Sequence, residues 1–417
     1  MIKASALYIV IIIALVIAVL CSSLIVAGYF YKIQYQRKFR GDLLYSNVCS
    51  GTNILLAEDE HSYSSRKVSL FGGDQDSVIL KRINWGLYDV AVAQAFIHND
   101  TLTKIFSTGY LADSAKWAAL YLIDEDRPIS VSGKTLIKGE VFIPKAGIKE
   151  AYVDNMAYQG DKKLVDGLKK TSDKKLPVLT ESSYANLKKL LSVQADADSS
   201  LAIADSMFRS FDAPLKLIGL GKQAIHLRKK MDGYILIRSD TTITIDNTSI
   251  LDHVIIFARS VNVESGFKGN CQLFASDSIH IQSNCHFNYP SVIGLLSQNQ
   301  SKNKEPGKII IDSATTIDGT VFSYDPNASA IRPVIILGSQ TTVNGQIYSQ
   351  GILSYKKNVA VNGSVMTNRF IYQSGYTMYE NYLINFRVNS VPLSKYYLTS
   401  ELLPFASTKR RVLEWLK

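Results

Sequence analysis

The sequence predicts a mainly β protein with some α-helix, built from a long N-terminal transmembrane helix, a small αβ module and a right-handed parallel β-helix. Three observations support this fold class. No charged residue lies between Lys3 and Lys32, apolar and polar residues alternate along many short later segments, and a nine-residue phrase recurs around a glycine. The 417 residues are 47% hydrophobic and 20% charged, which excludes a disordered or collagen-like chain.

Residues 1–30 form the predicted transmembrane helix. Their apolar run exceeds the roughly 20 residues that cross a bilayer, and it also exceeds the about 7–15 residues of the apolar region in a cleaved signal. A lipoprotein signal would have a small residue at Leu20, before Cys21. The aromatic residues 29–31, followed by Lys32, match the belt at a membrane–water interface. We expect a single-pass protein of the inner membrane that contacts membrane lipid.

Residues 31–129 are predicted to hold a helix extension and the small αβ module. Alternating runs near Val68 and at residues 77–83, 88–96 and 119–123 predict an antiparallel sheet against the helix. The acidic residues 124–126 lack the spaced oxygen ligands of a calcium loop, so a solvated turn is expected there. The helix extension is expected to pack along one stripe of side chains, comprising Phe30, Ile33, Arg37, Leu44, Val48 and Leu55.

A short basic leader ending at Ala4, followed by an apolar helix that continues into a soluble head, resembles the N-terminal helix of type IV pilins, minor pilins and pseudopilins. Two positions depart from that family, because Ala4 replaces the usual glycine and Ile9 replaces the usual glutamate. The missing glutamate is typical of minor members located at a filament tip. The resemblance covers about the first 55 residues, and a plain single-pass anchor explains the same residues.

The membrane orientation is the point on which the patterns disagree. Lys32, Arg37, Lys38 and Arg40 follow the apolar run, and the positive-inside rule alone would place the body in the cytoplasm. The pilin resemblance implies the opposite side, with an extracytoplasmic head. We expect the extracytoplasmic arrangement.

The recurrent phrase consists of two short alternating segments joined at a glycine. It occurs at residues 135–143, 315–323, 341–349 and 359–367. Repetition in one order and phase favours stacked β-helix coils over a meander of hairpins, although Asn-Gly corners suit both. Residues 130–150 are expected to form the first coils and residues 233–375 the main stack. Its interior is predicted to hold Ile243, Ile245, Val261, Val263, Ile279, Ile281, Val321, Ile347, Val361 and Val365.

Two segments fall outside that repeat. Residues 151–232 are predicted to be a basic, partly helical insert. Residues 161–230 contain 14 basic and 8 acidic residues, and the helical spacing of Tyr184, Leu187, Leu190 and Leu191 predicts a short helix among them. Its lysines could contact an anionic surface, but aromatic residues that would stack on bases are not interleaved with them, so nucleic-acid binding is not expected. Residues 376–417 are expected to cap the β-helix, with the last nine residues forming a short amphipathic helix.

Sequence motifs of catalysis are absent. The chain has no Walker A loop, GxSxG, HExxH or CxxC motif, and we predict no catalytic, cofactor-binding or metal site and no cofactor. His280, Cys285 and His286 are close in sequence but lack a second ligand cluster with metal spacing. Asp252 and Asp318 could lie on an acidic face like that of a glycan-cleaving β-helix. Val261 and Ile279, and likewise Gly345 and Gly363, are 18 residues apart, which we take as the repeat interval. A disulfide between Cys271 and Cys285 stays open, since their 14-residue separation differs from this interval.

The function expected from these features is structural. The chain is predicted to be a non-enzymatic, membrane-anchored envelope protein, namely a minor pilin-like or pseudopilin-like subunit of a bacterial filament or secretion apparatus whose partners are other subunits. One alternative is a cytoplasmic, membrane-tethered scaffold similar to bactofilins. Another is a glycan-active β-helix enzyme, which would need several carboxylates along one groove.

Overall fold

A computed structural model describes residues 4–58, 65–73, 76–193, 205–221, 224–297, 305–327, 332–375 and 377–417. The protein is mainly β with a long apolar N-terminal helix, as expected. The helices are α1 (Ala4–Ala57) and α2 (Glu181–Leu191). The first strands are β1 (Arg66–Ser69), β2 (Ser77–Trp85), β3 (Tyr88–Ile97), β4 (Asp100–Ala112), β5 (Leu120–Leu122), β6 (Ile129–Ser132), β7 (Leu136–Lys138), β8 (Val141–Ile143), β9 (Ile148–Glu150), β10 (Lys169–Thr171), β11 (Ser206–Arg209), β12 (Lys216–Gly219), β13 (Ile225–Leu227) and β14 (Lys230–Gly233). The remaining strands are β15 (Ile235–Arg238), β16 (Thr242–Ile245), β17 (Ile250–Val263), β18 (Lys268–Ile281), β19 (His286–Leu296), β20 (Lys308–Ile311), β21 (Thr316–Tyr324), β22 (Val334–Leu337), β23 (Thr342–Tyr355), β24 (Ala360–Ser374), β25 (Thr377–Glu380), β26 (Tyr382–Ile384), β27 (Arg387–Asn389), β28 (Leu398–Thr399) and β29 (Ala406–Leu416).

The chain divides into two compact units. The first contains Met1–Arg82 and Ala91–Lys104, and the second contains Ile83–Val90 and Ile105–Lys417. The division falls within strands β2, β3 and β4 and not in a linker. The domain boundaries expected from the sequence remain predictions.

In the first unit, α1 is exposed along its early turns and packed at its end. A helix of 54 residues is about 80 Å long. Leu44, Val48 and Leu55 are buried, as the stripe predicted, whereas Phe30 and Arg37 are exposed. Gly51 allows the close approach, since a Cβ there would lie 3.0 Å from the Leu80 side chain of β2. The last turns of α1 therefore pack on this sheet.

In this unit, strand β1 pairs antiparallel with β2. In the second unit, β28 and β29 both pair antiparallel with β4. The expected C-terminal amphipathic helix is wrong, because this segment is the strand β29. The Arg410 side chain is buried and donates a hydrogen bond to the Tyr110 hydroxyl. Trp415 packs on Phe106, with ring centroids 5.3 Å apart. These cross-strand contacts outweigh the local helical pattern.

A closed sheet contains most strands of the second unit, namely β5, β7, β8, β10 to β25 and β27. Apart from β25, which pairs antiparallel with β24, its strands pair in parallel. Val261 is the partner of Ile279 and Gly345 is the partner of Gly363, each 18 residues further along the chain. The hairpin alternative is wrong for these segments, since hairpins pair antiparallel. All ten residues predicted to fill the interior are at most 1% exposed. We call this element the closed parallel sheet.

The recurrent glycines lie at a bend within continuous strands. Gly319, Gly345 and Gly363 are aligned partners in β21, β23 and β24. Their φ angles of 148°, 148° and 149° are unfavourable for side chains with a Cβ, which at Gly345 would lie 1.9 Å from the carbonyl oxygen of Gly319. Glycine is therefore required by both the backbone conformation and the tight stacking of neighbouring strands.

The strands of residues 120–143 lie beside the last strands of the repeat and not beside its first. Leu120 pairs with Val365 of β24, and Leu136 pairs with Arg387 of β27. Residues 130–150 were expected to open the stack, and β5 was expected in the small antiparallel sheet; these pairings correct both expectations.

The basic insert is partly helical, as expected, but much of it belongs to the closed parallel sheet. Helix α2 buries Leu187, Leu190 and Leu191. These are three of the four residues whose spacing predicted the helix, and the fourth is Tyr184. Strands β11, β12 and β13 pair in parallel with β14, β15 and β16. The sheet therefore begins before residue 233, where the main stack was expected to start.

Candidate functional site

The first candidate surface is the exposed apolar part of α1. An 18-residue window of this helix has a mean hydropathy of 3.3, and none of it is buried within the protein. Leu24 and Ile25 are 72% and 73% exposed. The helix is long and apolar enough to cross a membrane. Such a continuous apolar surface is far larger than the patches that soluble monomers expose.

The second candidate is a cluster of one histidine and three carboxylates in the second unit. Asp232, Asp252 and Asn270 are aligned on β14, β17 and β18. The register shifts after Asp252, and the extra residue is His253, with φ of +59°. The Nδ1 of His253 lies 3.2 Å from Asp232 Oδ1 and 3.3 Å from Asp252 Oδ1, and its Nε2 lies 3.1 Å from Glu414 Oε2. A β-bulge thus brings the imidazole among carboxylates from three strands.

An aromatic wall supports this His253 cluster. The Trp85 indole N–H donates a hydrogen bond of 2.9 Å to the His253 carbonyl oxygen. The Phe211 ring packs on the rings of Trp85 and Tyr234, with centroids 5.7 and 5.3 Å apart. Burial raises the pKa of Tyr234 to about 12. The imidazole, with a side-chain exposure of 12%, is therefore held in a largely dry setting.

The surroundings of His253 and Asp252 favour the protonated forms of both side chains. Burial raises the pKa of Asp252, and the positive charge of His253 only partly offsets this effect. For His253, burial lowers the pKa, but the hydrogen bond with Glu414 and the charge of Asp252 raise it above its ordinary value. Both ring nitrogens contact carboxylates, so the arrangement holds a proton and joins β29 to β14 and β17. It does not present an unengaged base to solvent.

A second cluster of titratable side chains lies around His226. Its Nε2 lies 2.8 Å from Glu264 Oε1 and its Nδ1 lies 3.9 Å from Asp246 Oδ2. Arg228 also donates to Asp246 Oδ2 through two nitrogens, at 3.0 and 2.8 Å. Hydrogen bonds from the Thr248 side chain and backbone, followed by that from Arg228, hold the pKa of Asp246 well below its usual range. The arginine therefore supplies the positive charge that a cation would bring to this carboxylate.

The histidines and cysteine considered as metal ligands from the sequence have separate partners. The His280 Nε2 contacts Asp312 Oδ2 at 2.9 Å, and the His286 Nε2 contacts Asp318 Oδ2 at 3.5 Å. The Cys285 thiol is directed to the Glu264 carbonyl oxygen, at 3.2 Å. The residues that are close in sequence therefore do not combine into one ligand set. His61 lies outside the described residues.

The two aspartates considered for an acidic face also belong to different contact groups. Asp252 lies in the His253 cluster, whereas Asp318 accepts a hydrogen bond of 2.6 Å from the Asn344 amide. Asn362 continues that ladder by donating to Asn344 at 2.8 Å. Hydrogen-bonded stacking along the closed parallel sheet accounts for Asp318.

The cysteines are free thiols in this structure, including Cys271 and Cys285. Burial raises the pKa of both thiols, which disfavours the reactive thiolate. The disulfide left open by the sequence is therefore not formed here.

Of the His253 cluster and its wall, sequence reasoning considered Asp252 alone. It missed the other members, namely Trp85, Phe211, Asp232, Tyr234, His253 and Glu414. Glu414 is 161 residues from His253 along the chain, and Trp85 is 168 residues away. No local pattern links such positions, because the contacts depend on the strand pairing of β29 and on the bulge. A search with protein-family models finds no match to this chain, and comparisons with curated proteins and with solved structures find none either.

Proposed function

We propose that this protein is a non-enzymatic envelope protein of a bacterium, anchored in the inner membrane by α1 with an extracytoplasmic head. In this proposal it is a minor pilin-like or pseudopilin-like subunit of a filament or secretion apparatus. The observation that carries the proposal is the division of α1 into an apolar exposed part and a packed final part.

That division supports a subunit role for a physical reason. The exposed apolar side chains need lipid or neighbouring helices as partners, since water solvates them poorly. Val48 and Leu55 are buried at 0% and 3% exposure, so the same helix is also part of a folded unit. A helix that is apolar and exposed along its first turns and packed into a folded unit along its last turns suits both a membrane anchor and helix packing between subunits.

We further propose that the closed parallel sheet is a right-handed parallel β-helix that serves as the interaction head. Support comes from the regular alignment of Gly319, Gly345 and Gly363 on successive parallel strands. The right hand follows from the general preference of parallel β-crossover connections, which are right-handed in about 98% of cases.

The pilin-like part of the proposal is tested at the N-terminus of the protein purified from bacterial membranes. Mass spectrometry is expected to find a mature chain that begins at Ser5, after removal of the basic leader that ends at Ala4. Replacing Val16 with Arg, in the middle of the apolar run, should reduce membrane insertion, since a central Arg costs about 2.5–3.5 kcal/mol. Gly41→Arg, on the exposed helix beyond this run, is the matched control. An unprocessed chain together with normal filament or secretion activity of the Val16→Arg variant would contradict the proposal.

The orientation is tested with reporters fused after Lys417. Alkaline phosphatase should be active and a fluorescent protein inactive if the head is extracytoplasmic. The reverse result would favour the cytoplasmic, bactofilin-like scaffold and would overturn the envelope assignment.

A further inference from the structure

A cleft of about 330 Å³ lies on the second unit, beside the lysine-rich segment at residues 174–179. Its volume lies at the lower end of the range for small-molecule sites, which is about 300–1,000 Å³. The Tyr348 hydroxyl donates to the Pro177 carbonyl oxygen at 3.1 Å, and the Tyr121 hydroxyl donates to the Lys175 carbonyl oxygen at 3.3 Å. These bonds anchor the segment to the sheet, so the cleft is held open by defined contacts.

Successive parallel strands supply one wall of the cleft. Ser323 of β21 is the aligned partner of Ser349 of β23, and Ser349 is in turn the aligned partner of Thr367 of β24. The residues that directly follow them, Tyr324, Gln350 and Asn368, all line the cleft. Neighbouring strands are about 4.8 Å apart, so this wall offers a phenol and two amides close together, at the point where the register of β23 and β24 shifts.

The two amides suit a ligand with hydroxyl groups. An amide both donates and accepts hydrogen bonds, as does a hydroxyl. The Gln350 Oε1 accepts the backbone N–H of Asp325 at 2.7 Å, which fixes the orientation of that amide. The Asn368 Oδ1 is buried and has no hydrogen-bond partner among the described residues. A bound hydroxyl would satisfy such an acceptor.

The charges of the cleft favour an anion. Lys174, Lys175 and Arg332 line it, against the single carboxylate of Asp325. Asp325 is 2% exposed and caps a turn by accepting the Asn327 backbone N–H at 2.9 Å. Arg332 lies 3.9 Å from Glu125, at the limit of an ion pair, while Arg369 contacts Glu125 at 2.6 Å. The Arg332 charge is therefore weakly compensated at the rim.

We propose that this cleft binds an acidic saccharide, with the carboxylate of the sugar near Lys174, Lys175 and Arg332 and its hydroxyls on Gln350 and Asn368. The aliphatic wall of Leu176 and Leu179, together with the Tyr324 ring, packs against the apolar C–H faces of the sugar. This inference goes beyond the proposed structural role, since it assigns a ligand class to the head.

The experiment measures binding of trigalacturonate to the full-length protein in detergent by isothermal titration calorimetry. Maltotriose is the neutral probe of the same length, and inorganic phosphate is the simple anion. Trigalacturonate is expected to bind and maltotriose to bind more weakly. Replacing Lys174 and Lys175 together with Ala should weaken trigalacturonate binding about fivefold to tenfold, because two ion pairs are lost.

The matched control replaces Lys188 and Lys189 of α2 with Ala. Both are exposed, lie in the same basic segment and change the charge equally, but they do not line the cleft. Their loss is expected to leave the affinity unchanged. Equal weakening by both pairs would show a diffuse basic surface and overturn the cleft assignment.

A second variant, Tyr324→Ala, separates a sugar site from an anion site. It should weaken trigalacturonate and leave phosphate unaffected, since phosphate has no apolar face. If phosphate displaces trigalacturonate and Tyr324→Ala has no effect, the cleft binds free anions and the saccharide assignment is wrong. Absence of trigalacturonate binding at millimolar concentration would also overturn it, whatever the outcome of the membrane orientation test.

Discussion

We expect the stability of the second unit to depend on pH through His253, the extra residue at the β-bulge in β17. Its pKa is raised in the fold, so its stabilising contribution is complete below its ordinary value of about 6.5 and is lost as the pH rises through the folded value. Asp252, whose pKa is also raised by burial, acts in the same direction. We expect the denaturant concentration at the unfolding midpoint of this unit to decrease as the pH rises above about 6.5.

Replacing His253 with Asn, which tolerates the positive φ, should flatten that pH dependence. At about pH 6 the variant should also lose about 1–3 kcal/mol, since Asp232 and Glu414 then lack their cationic partner. Tryptophan fluorescence provides the measurement, because Trp85, Trp117 and Trp415 all belong to the second unit.

The control for this change is His280→Asn. The His280 side chain is 41% exposed and forms an ion pair with Asp312, so its loss should cost less than about 1 kcal/mol and leave the slope intact. An unchanged pH slope in the His253→Asn variant would refute the role given to the cluster.

Residues of the β interior were predictable from the sequence, whereas those of the His253 cluster were not. Alternation alone identified Val261 and Ile279, because a period of two places such side chains on one face. The cluster depends on one extra residue in β17 and on pairing between distant strands. Neither leaves a periodic signal.

Helix α1 offers a comparison of two glycines on one element. A Cβ at Gly51 would contact Leu80, Ala93 and Val78 at 3.0–3.6 Å, whereas a Cβ at Gly41 meets nothing within 4 Å among the described residues. We expect Gly51→Leu to cost about 1–3 kcal/mol through overpacking. Gly41→Leu should instead stabilise the helix by about 1 kcal/mol through its propensity.

Hydrogen exchange of residues 44–57, followed by mass spectrometry on the full-length protein, measures this difference. Exchange should become faster in the Gly51→Leu variant and should not become faster in the Gly41→Leu variant. Equal protection in both variants would contradict the packing of the last turns of α1 on β2 and β3.

Elements with a long uniform pattern were easier to predict than the tail. The continuous apolar pattern predicted α1, and the spacing of Leu187, Leu190 and Leu191 predicted α2. The tail has a helical pattern as well, yet it forms β29, because Arg410 and Trp415 gain cross-strand partners on β4. Tertiary contacts decide the state of such a short segment.

At the scale of the whole second unit, the order of strands in space differs from their order along the chain. The repeat predicted parallel stacking but placed residues 130–150 before residue 233. Pairing of β7 with β27 places them next to the last strands. The repeated phrase predicts how neighbouring coils align. It does not predict which end of the stack the copy at residues 135–143 joins, because every copy has the same pattern of apolar and polar residues.

Cross-linking tests this order directly. Leu136 and Arg387 are aligned partners on β7 and β27, both at least partly exposed. Parallel partners have Cα atoms about 4.8 Å apart, within the range that a disulfide spans. In a chain with Cys21→Ser and Cys49→Ser, the pair Leu136→Cys and Arg387→Cys should form a disulfide under mild oxidation, detected by peptide mass spectrometry. Leu136→Cys with Ile250→Cys is the control, since Ile250 is 55% exposed and lies near the start of the predicted main stack, next to which residues 130–150 were expected. A disulfide in the control pair, without one in the first pair, would reverse the assignment, because residues 130–150 would then open the stack after all.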